Sequence, residues 1–144
     1  MVALDTLLDR IPHRGPMRFL TEVLEVQGAA IRTSTTIGQD FILARDGVVS
    51  PLVAIELFAQ SAAAFMAHRT AASDSPFVQG ALLGSRKLDV FVDAFHVGDV
   101  LVAECEEVFG AGALAQFRCV LTRGDDKVAE GAINVVSGAD VVRG

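Results

Sequence analysis

The chain has 144 residues, 51% of them hydrophobic and 21% charged, which is enough apolar surface for one folded domain and too short a length for two. That composition excludes a disordered chain, and a net charge of -6 at pH 7 argues against a nucleic-acid surface, which needs clustered Lys and Arg.

Leu4, Leu7 and Leu8 stand at helical spacing, and Pro12 followed by Gly15-Pro16 stops any helix there. The spacing predicts a short N-terminal helix over residues 2–9. Residues 17–26 and 30–37 read as two strands of a hairpin turned at Gln27-Gly28-Ala29. Residues 38–50 have no sustained period and contain the turn signal Asp46-Gly47, so they are expected to be loop. From Pro51 to Arg69 the chain is apolar on every side, with Pro51 suited to a first helical turn and Ser50 to its cap. A helix of that kind must be central, and Ala59, Ala62, Ala63 and Ala64 are small enough to let a sheet approach it. After a polar connection at 70–76, residues 78–92, 100–109, 114–123 and 127–136 read as strands, the last three joined by turns too short for parallel crossovers. The expected fold is α+β: one domain over residues 1–144, a curved antiparallel sheet wrapped around one long helix, with 138–144 a loose tail.

The opening Met1-Val2-Ala3-Leu4-Asp5 lacks the basic start and apolar run of a secretory leader, and the apolar stretch 57–67 is shorter than the roughly 20 residues of a membrane span. A cytoplasmic protein without membrane passage is expected, with Cys105 and Cys119 as reduced, buried thiols.

Glu56 is the first chemical anomaly, because a carboxylate inside an apolar helix costs several kcal/mol unless it is protonated, hydrogen-bonded or paired. It can be a structural group tied to neighbouring backbone or to Gln60, one turn on and on the same face, a carboxylate facing solvent at the helix end, or a tuned proton donor or orienter of a substrate hydroxyl. His13 lies in Pro12-His13-Arg14-Gly15-Pro16-Met17, where two prolines restrict the backbone around the imidazole; by the residues alone it reads equally as an ordinary turn histidine or as a positioned catalytic group. His68 ends the long helix and His96 precedes a turn, and both read as structural. No Cys or His spacing suits a metal, and there is no phosphate-binding glycine loop or nucleophile elbow. Arg10, Arg14, Arg18, Arg69, Arg86 and Lys87 read as solvated charges that, if grouped, could dock an acidic carrier protein.

The stretch Ile11-Pro12-His13-Arg14-Gly15-Pro16-Met17-Arg18-Phe19-Leu20 resembles the Pro-His-x-x-Pro-Met-x-Leu-Leu opening of hot-dog 3-hydroxyacyl-carrier-protein dehydratases. Ile55-Glu56-Leu57-Phe58-Ala59-Gln60 resembles the Ile-Glu-x-x-Ala-Gln helix motif of FabZ, and Leu82-Leu83-Gly84-Ser85-Arg86 is similar to the Leu-Leu-Gly-x-Arg of the ApeP branch, associated with aryl polyene clusters. FabZ carries its catalytic histidine in a Gly-His-Phe-Pro-Gly loop before the helix. Here that region reads Phe41-Ile42-Leu43-Ala44-Arg45-Asp46-Gly47, without histidine, as in the ApeP branch.

The resemblance implies a hot-dog homodimer acting on 3-hydroxyacyl groups carried as acyl-carrier-protein or coenzyme A thioesters, in fatty-acid-like or aryl polyene biosynthesis. The phosphopantetheine arm would arrive with the substrate, and no tightly bound cofactor is expected. The transfer reaches His13 as base and Glu56 as hydroxyl orienter and proton donor, a pair that a dimer could bring together across the subunit boundary, with Gln60 bracing Glu56 and backbone N–H groups at the helix N-terminus polarising the thioester carbonyl. Phe58, Phe65, Phe77 and Phe91 are the candidates to line an acyl tunnel, with ordinary core packing the favoured reading for any one of them. A hot-dog thioesterase, with Glu56 activating water, and a non-catalytic acyl binder are the alternatives.

Overall fold

The spacing of Leu4, Leu7 and Leu8 does produce a helix, of the tighter 3-10 kind, over Leu4–Asp9, with Leu7 and Leu8 buried. The structure, a computed structural model, describes residues 3–72, 80–111 and 114–137, the side chains of residues 72, 80–83, 85, 86 and 137 excepted. The expected tail at 138–144 and Phe77 lie outside the described residues.

The first strand starts later than its alternation suggests. Gly15 takes a φ of 55° and opens a second 3-10 turn, Gly15–Met17, so that β1 covers only Glu22–Gln27. It pairs with β2, Ala30–Thr36, through a tight turn in which Gly28 has a φ of 59°. The segment expected to be loop contains β3, Val48–Val49, too short to leave a period in the sequence. It follows Asp46 and Gly47, both at positive φ in a two-residue turn closed by Arg45 and Val48.

The long apolar run forms α1, Val53–Ala72. Ser50 Oγ accepts the Leu52 N–H at 3.3 Å and the Ser50 carbonyl accepts the Val53 N–H at 3.2 Å, so the expected cap is in place. β4, Gly80–Val90, follows, then the short β5, Phe95–His96, which pairs with β3. β6, Val100–Ala111, β7, Leu114–Arg123, and β8, Asp126–Ser137, close the chain. The main sheet has the order β1-β2-β6-β7-β8-β4 and every pairing in it is antiparallel.

That sheet packs against α1 through β2, β4, β6, β7 and β8. Alternation supplies the inward face: Leu101, Ala103 and Cys105 from β6, and Ala115, Phe117, Cys119 and Leu121 from β7, are all buried. Opposite them lie Leu57, Phe58, Ala62 and Ala64 of α1, with Phe65 edge-on to Phe117 at 5.7 Å. Each large side chain so enclosed contributes about 1.5–3 kcal/mol. The Thr-rich β2 buries Thr33 and Thr35, and the Thr33 hydroxyl is satisfied by Ser61 Oγ at 2.9 Å, itself bonded to the Leu57 carbonyl at 2.7 Å. No helix among the described residues is long and apolar enough to cross a membrane.

Gly131 sits in β8 opposite Leu88, just past the register shift between Ser85 and Lys87. A Cβ there would run into the backbone carbonyl of Lys87, so strands β4 and β8 approach this closely only because the position is glycine. Gly131→Ala is expected to lower stability by about 1–3 kcal/mol in urea melts followed by circular dichroism. An unchanged midpoint would mean that β4 shifts freely.

Cys105 and Cys119 face each other across β6 and β7 as free, buried thiols. Burial above all, and then the adjoining Cys119 thiol, push the Cys105 thiol well up from its ordinary value. Above about pH 8.5 the unfolded chain releases this proton while the folded chain keeps it. Its contribution is therefore complete below that pH and declines as pH rises toward the folded value, by up to about 1.4 kcal/mol per unit. The chain has no Trp or Tyr, so circular dichroism is the suitable probe. Melts at about pH 7.5 and about pH 9.5 should show a smaller alkaline loss in Cys105→Ala than in the parent; equal losses would remove Cys105 from the effect.

Candidate active site

The segment after the first 3-10 helix is held from both ends. Leu7, Leu8 and Ile11 anchor it in the core. The Arg14 guanidinium folds back to donate to the carbonyls of Asp9 at 2.9 Å, His13 at 2.9 Å and Ile11. A side chain expected to be merely solvated thus fastens the turn that carries His13. On the other side Phe19 is buried and stacks obliquely on Phe41, with ring centroids 4.8 Å apart.

Gln60, fully buried one turn beyond Glu56, ties this segment to α1. Its Oε1 accepts the Phe19 N–H at 2.9 Å, which fixes the amide orientation and turns Nε2 toward the Met17 carbonyl at 2.9 Å and Glu56 Oε1 at 3.2 Å. The expected brace is present, and it also clamps the loop.

These restraints bring His13 Nε2 to 3.3 Å from Glu56 Oε1 within one chain. The expectation that the two meet across a subunit boundary is corrected: the N-terminal turn folds over the first turn of its own α1. Among the described residues His13 Nδ1 is enclosed without a hydrogen-bond partner, and Glu56 is the side chain the imidazole addresses. Glu56 is 36% exposed and His13 24%. The carboxylate therefore avoids most of the desolvation penalty expected for an acid in a buried helix, and it lies in the first turn of α1, where the helix dipole favours a negative group.

Glu56 forms part of the wall of an open groove of about 490 Å³, lined otherwise by Met17, Phe19, Leu43, Val49, Ser50, Leu52, Val53 and Ile55. That volume is in the range of sites for small ligands. Of the candidate tunnel phenylalanines, Phe58 and Phe65 are core, as ordinary packing would have them, and Phe91 is exposed elsewhere; the aromatic in the groove wall is Phe19. Met17, Ile42, Leu43 and Leu52 are exposed at or beside the groove. The exposed pair Ile42-Leu43 in a turn is the signal in the sequence that could have marked this wall.

Three of the other cations pair with nearby acids. Arg18 meets Asp9 at 3.3 Å, Lys87 meets Asp89 at 3.3 Å, and Arg69 meets Glu107 at 2.7 Å. Arg69, in the last turn of α1, is on the order of 20 Å along the helix from Glu56 at 1.5 Å per residue. Among the described residues no group of three His, Cys, Asp or Glu could hold a metal ion.

An antiparallel sheet curled around one long helix, with an acid in that helix opening to an apolar groove, defines a hot-dog protein. A family model described as ApeP-like, ApeP dehydratase, matches residues 6–143, and the chain belongs to that family. It is similar in structure to the dehydratase heterocomplex ApeI:P from Xenorhabdus doucetiae, with a TM-score of 0.87 and 23% identity over 93% of this chain and 92% of that one. It also resembles a hypothetical thioesterase with coenzyme A from Streptococcus pneumoniae TIGR4, with a TM-score of 0.62 and 15% identity over 81% and 84% of the two chains. Cj0977, a virulence protein from Campylobacter jejuni, gives a TM-score of 0.64 and 19% identity over 92% and 88%. At these identities the structural likenesses speak for the fold. No curated protein matches the chain.

Proposed function

We propose that this hot-dog dehydratase removes water from 3-hydroxyacyl thioesters, giving 2-enoyl thioesters, in aryl polyene assembly. The observation that carries the reading is a carboxylate on the wall of an apolar groove with an imidazole 3.3 Å behind it. The reaction takes a proton from the α-carbon, expels the β-hydroxyl with a proton as water, and develops enolate charge on the thioester oxygen. In this reading Glu56, on the groove wall, meets the substrate directly. His13 Nε2 is close enough to exchange a proton with it, so a proton taken up by one partner can be matched by one released from the other. The sequence suggests His13 as base and Glu56 as hydroxyl orienter and proton donor; in the present proposal the carboxylate is the group that meets the substrate and His13 acts through it.

The groove's apolar wall suits an acyl chain, and a phosphopantetheine arm would bring the thioester to its open side. We further propose that a second hot-dog subunit, its own copy or a different chain as in the ApeI:P heterocomplex, covers the exposed Met17, Ile42, Leu43 and Leu52. Incubating the purified chain with 3-hydroxyacyl groups on carrier protein or coenzyme A tests the reaction. Enoyl product supports dehydration, free thiol would establish a thioesterase instead, and neither would leave a binder.

A further inference from the structure

The dehydratase reading requires a donor for the thioester oxygen, and the backbone at the start of α1 is poorly placed to be one. Pro51 has no N–H. The N–H groups of Leu52, Val53, Ala54 and Ile55 already donate to Ser50 Oγ at 3.3 Å and to the carbonyls of Ser50, Pro51 and Leu52 at 3.2, 3.1 and 3.2 Å. The side chains of the groove leave two polar groups, Glu56 and Ser50. Glu56 as a carboxylate only accepts. Ser50 Oγ accepts from Leu52, which fixes the oxygen at the groove wall, and no described residue takes the proton on it.

We propose that the Ser50 hydroxyl is the donor to the thioester carbonyl, and so a catalytic residue as well as a helix cap; this rests on the dehydratase reading for its place in turnover. A hydroxyl aimed at an oxygen that gains charge in an apolar groove strengthens its bond as the enolate forms. No covalent bond to Ser50 is formed, and its proton stays on Oγ throughout. The sequence marks this residue only as a cap, because its second use depends on where the groove opens.

Two variants separate the uses. Ser50→Ala removes both cap and donor, and should lower kcat for enoyl formation about 100-fold with little change in KM. Ser50→Asp keeps an acceptor for the Leu52 N–H and offers no proton, so its thermal stability should match or exceed the parent while kcat falls at least as far. Parent-level turnover in Ser50→Asp would overturn the proposal. A second readout does not depend on turnover: the infrared C=O stretch of a saturated acyl pantetheine, labelled with ¹³C at the thioester carbonyl and lacking a 3-hydroxyl. Binding to the parent should lower the stretch, and binding to Ser50→Ala should return it toward the free value. A shift lost in Ser50→Ala from a parent that makes no enoyl product would sink the dehydratase reading and leave the donor standing. A shift equal in both proteins would end the proposal whatever the turnover.

Discussion

Glu56→Gln is expected to lower turnover of a 3-hydroxyacyl thioester by about 1,000-fold or more while leaving KM nearly unchanged. The amide has the size of the carboxylate and still fits beside Gln60, so the fold keeps its packing; what it loses is a group that can take and return a proton. His13→Ala should cost less, about 100-fold, because the imidazole acts from behind a carboxylate that already lines the groove. The double variant should be no slower than Glu56→Gln by more than a few-fold, since two groups that act as a unit lose their effect together. Steady-state kinetics on the four proteins decides this. Turnover of Glu56→Gln within a few-fold of the parent would remove the carboxylate from the mechanism, and full multiplication of the two single effects would show that the side chains act separately.

Gln60→Leu is expected to destabilise the protein by about 2–6 kcal/mol, because two backbone groups lose their partners at about 1–3 kcal/mol each. The Phe19 N–H and the Met17 carbonyl both depend on the Gln60 amide, and Phe19 is buried. Leucine fills nearly the same volume, so the loss measures hydrogen bonding rather than a cavity. Urea melts by circular dichroism read it, and a loss under about 0.5 kcal/mol would mean that solvent reaches and satisfies both groups. The same change frees the segment that carries His13 from α1, so kcat should fall with stability. An unaltered kcat at full occupancy of the folded state would show that Arg14 alone positions the imidazole.

The main elements were legible because their signals are local. The run of apolar residues from Val53 onward has no polar stripe to turn toward water, so the helix had to be enclosed, and the alternation in β6 and β7 showed which side chains face it. Gly28 and the Gly124-Asp125 turn gave the hairpins for the same reason. Reading a strand from Met17 failed because alternation does not report Gly15, whose positive φ begins another 3-10 turn. The two-residue strands β3 and β5 were missed because a pairing that short has no period to detect.

The candidate site divides in the same way. His13 and Glu56 stood out in the sequence, one by the prolines beside it and the other by being a charge in an apolar helix, and Gln60 followed from its place one turn on. Tertiary structure decided that His13 reaches Glu56 of its own chain, that Arg14 binds three carbonyls instead of water, and that the groove is walled by Phe19, Leu43, Val49 and Leu52 rather than by Phe58, Phe65 or Phe91. The physical reason is range. Propensity and periodicity are set by neighbours a few residues away, whereas Phe19 and Gln60 are 41 positions apart in the chain and share a hydrogen bond only because the helix and the N-terminal turn are packed together.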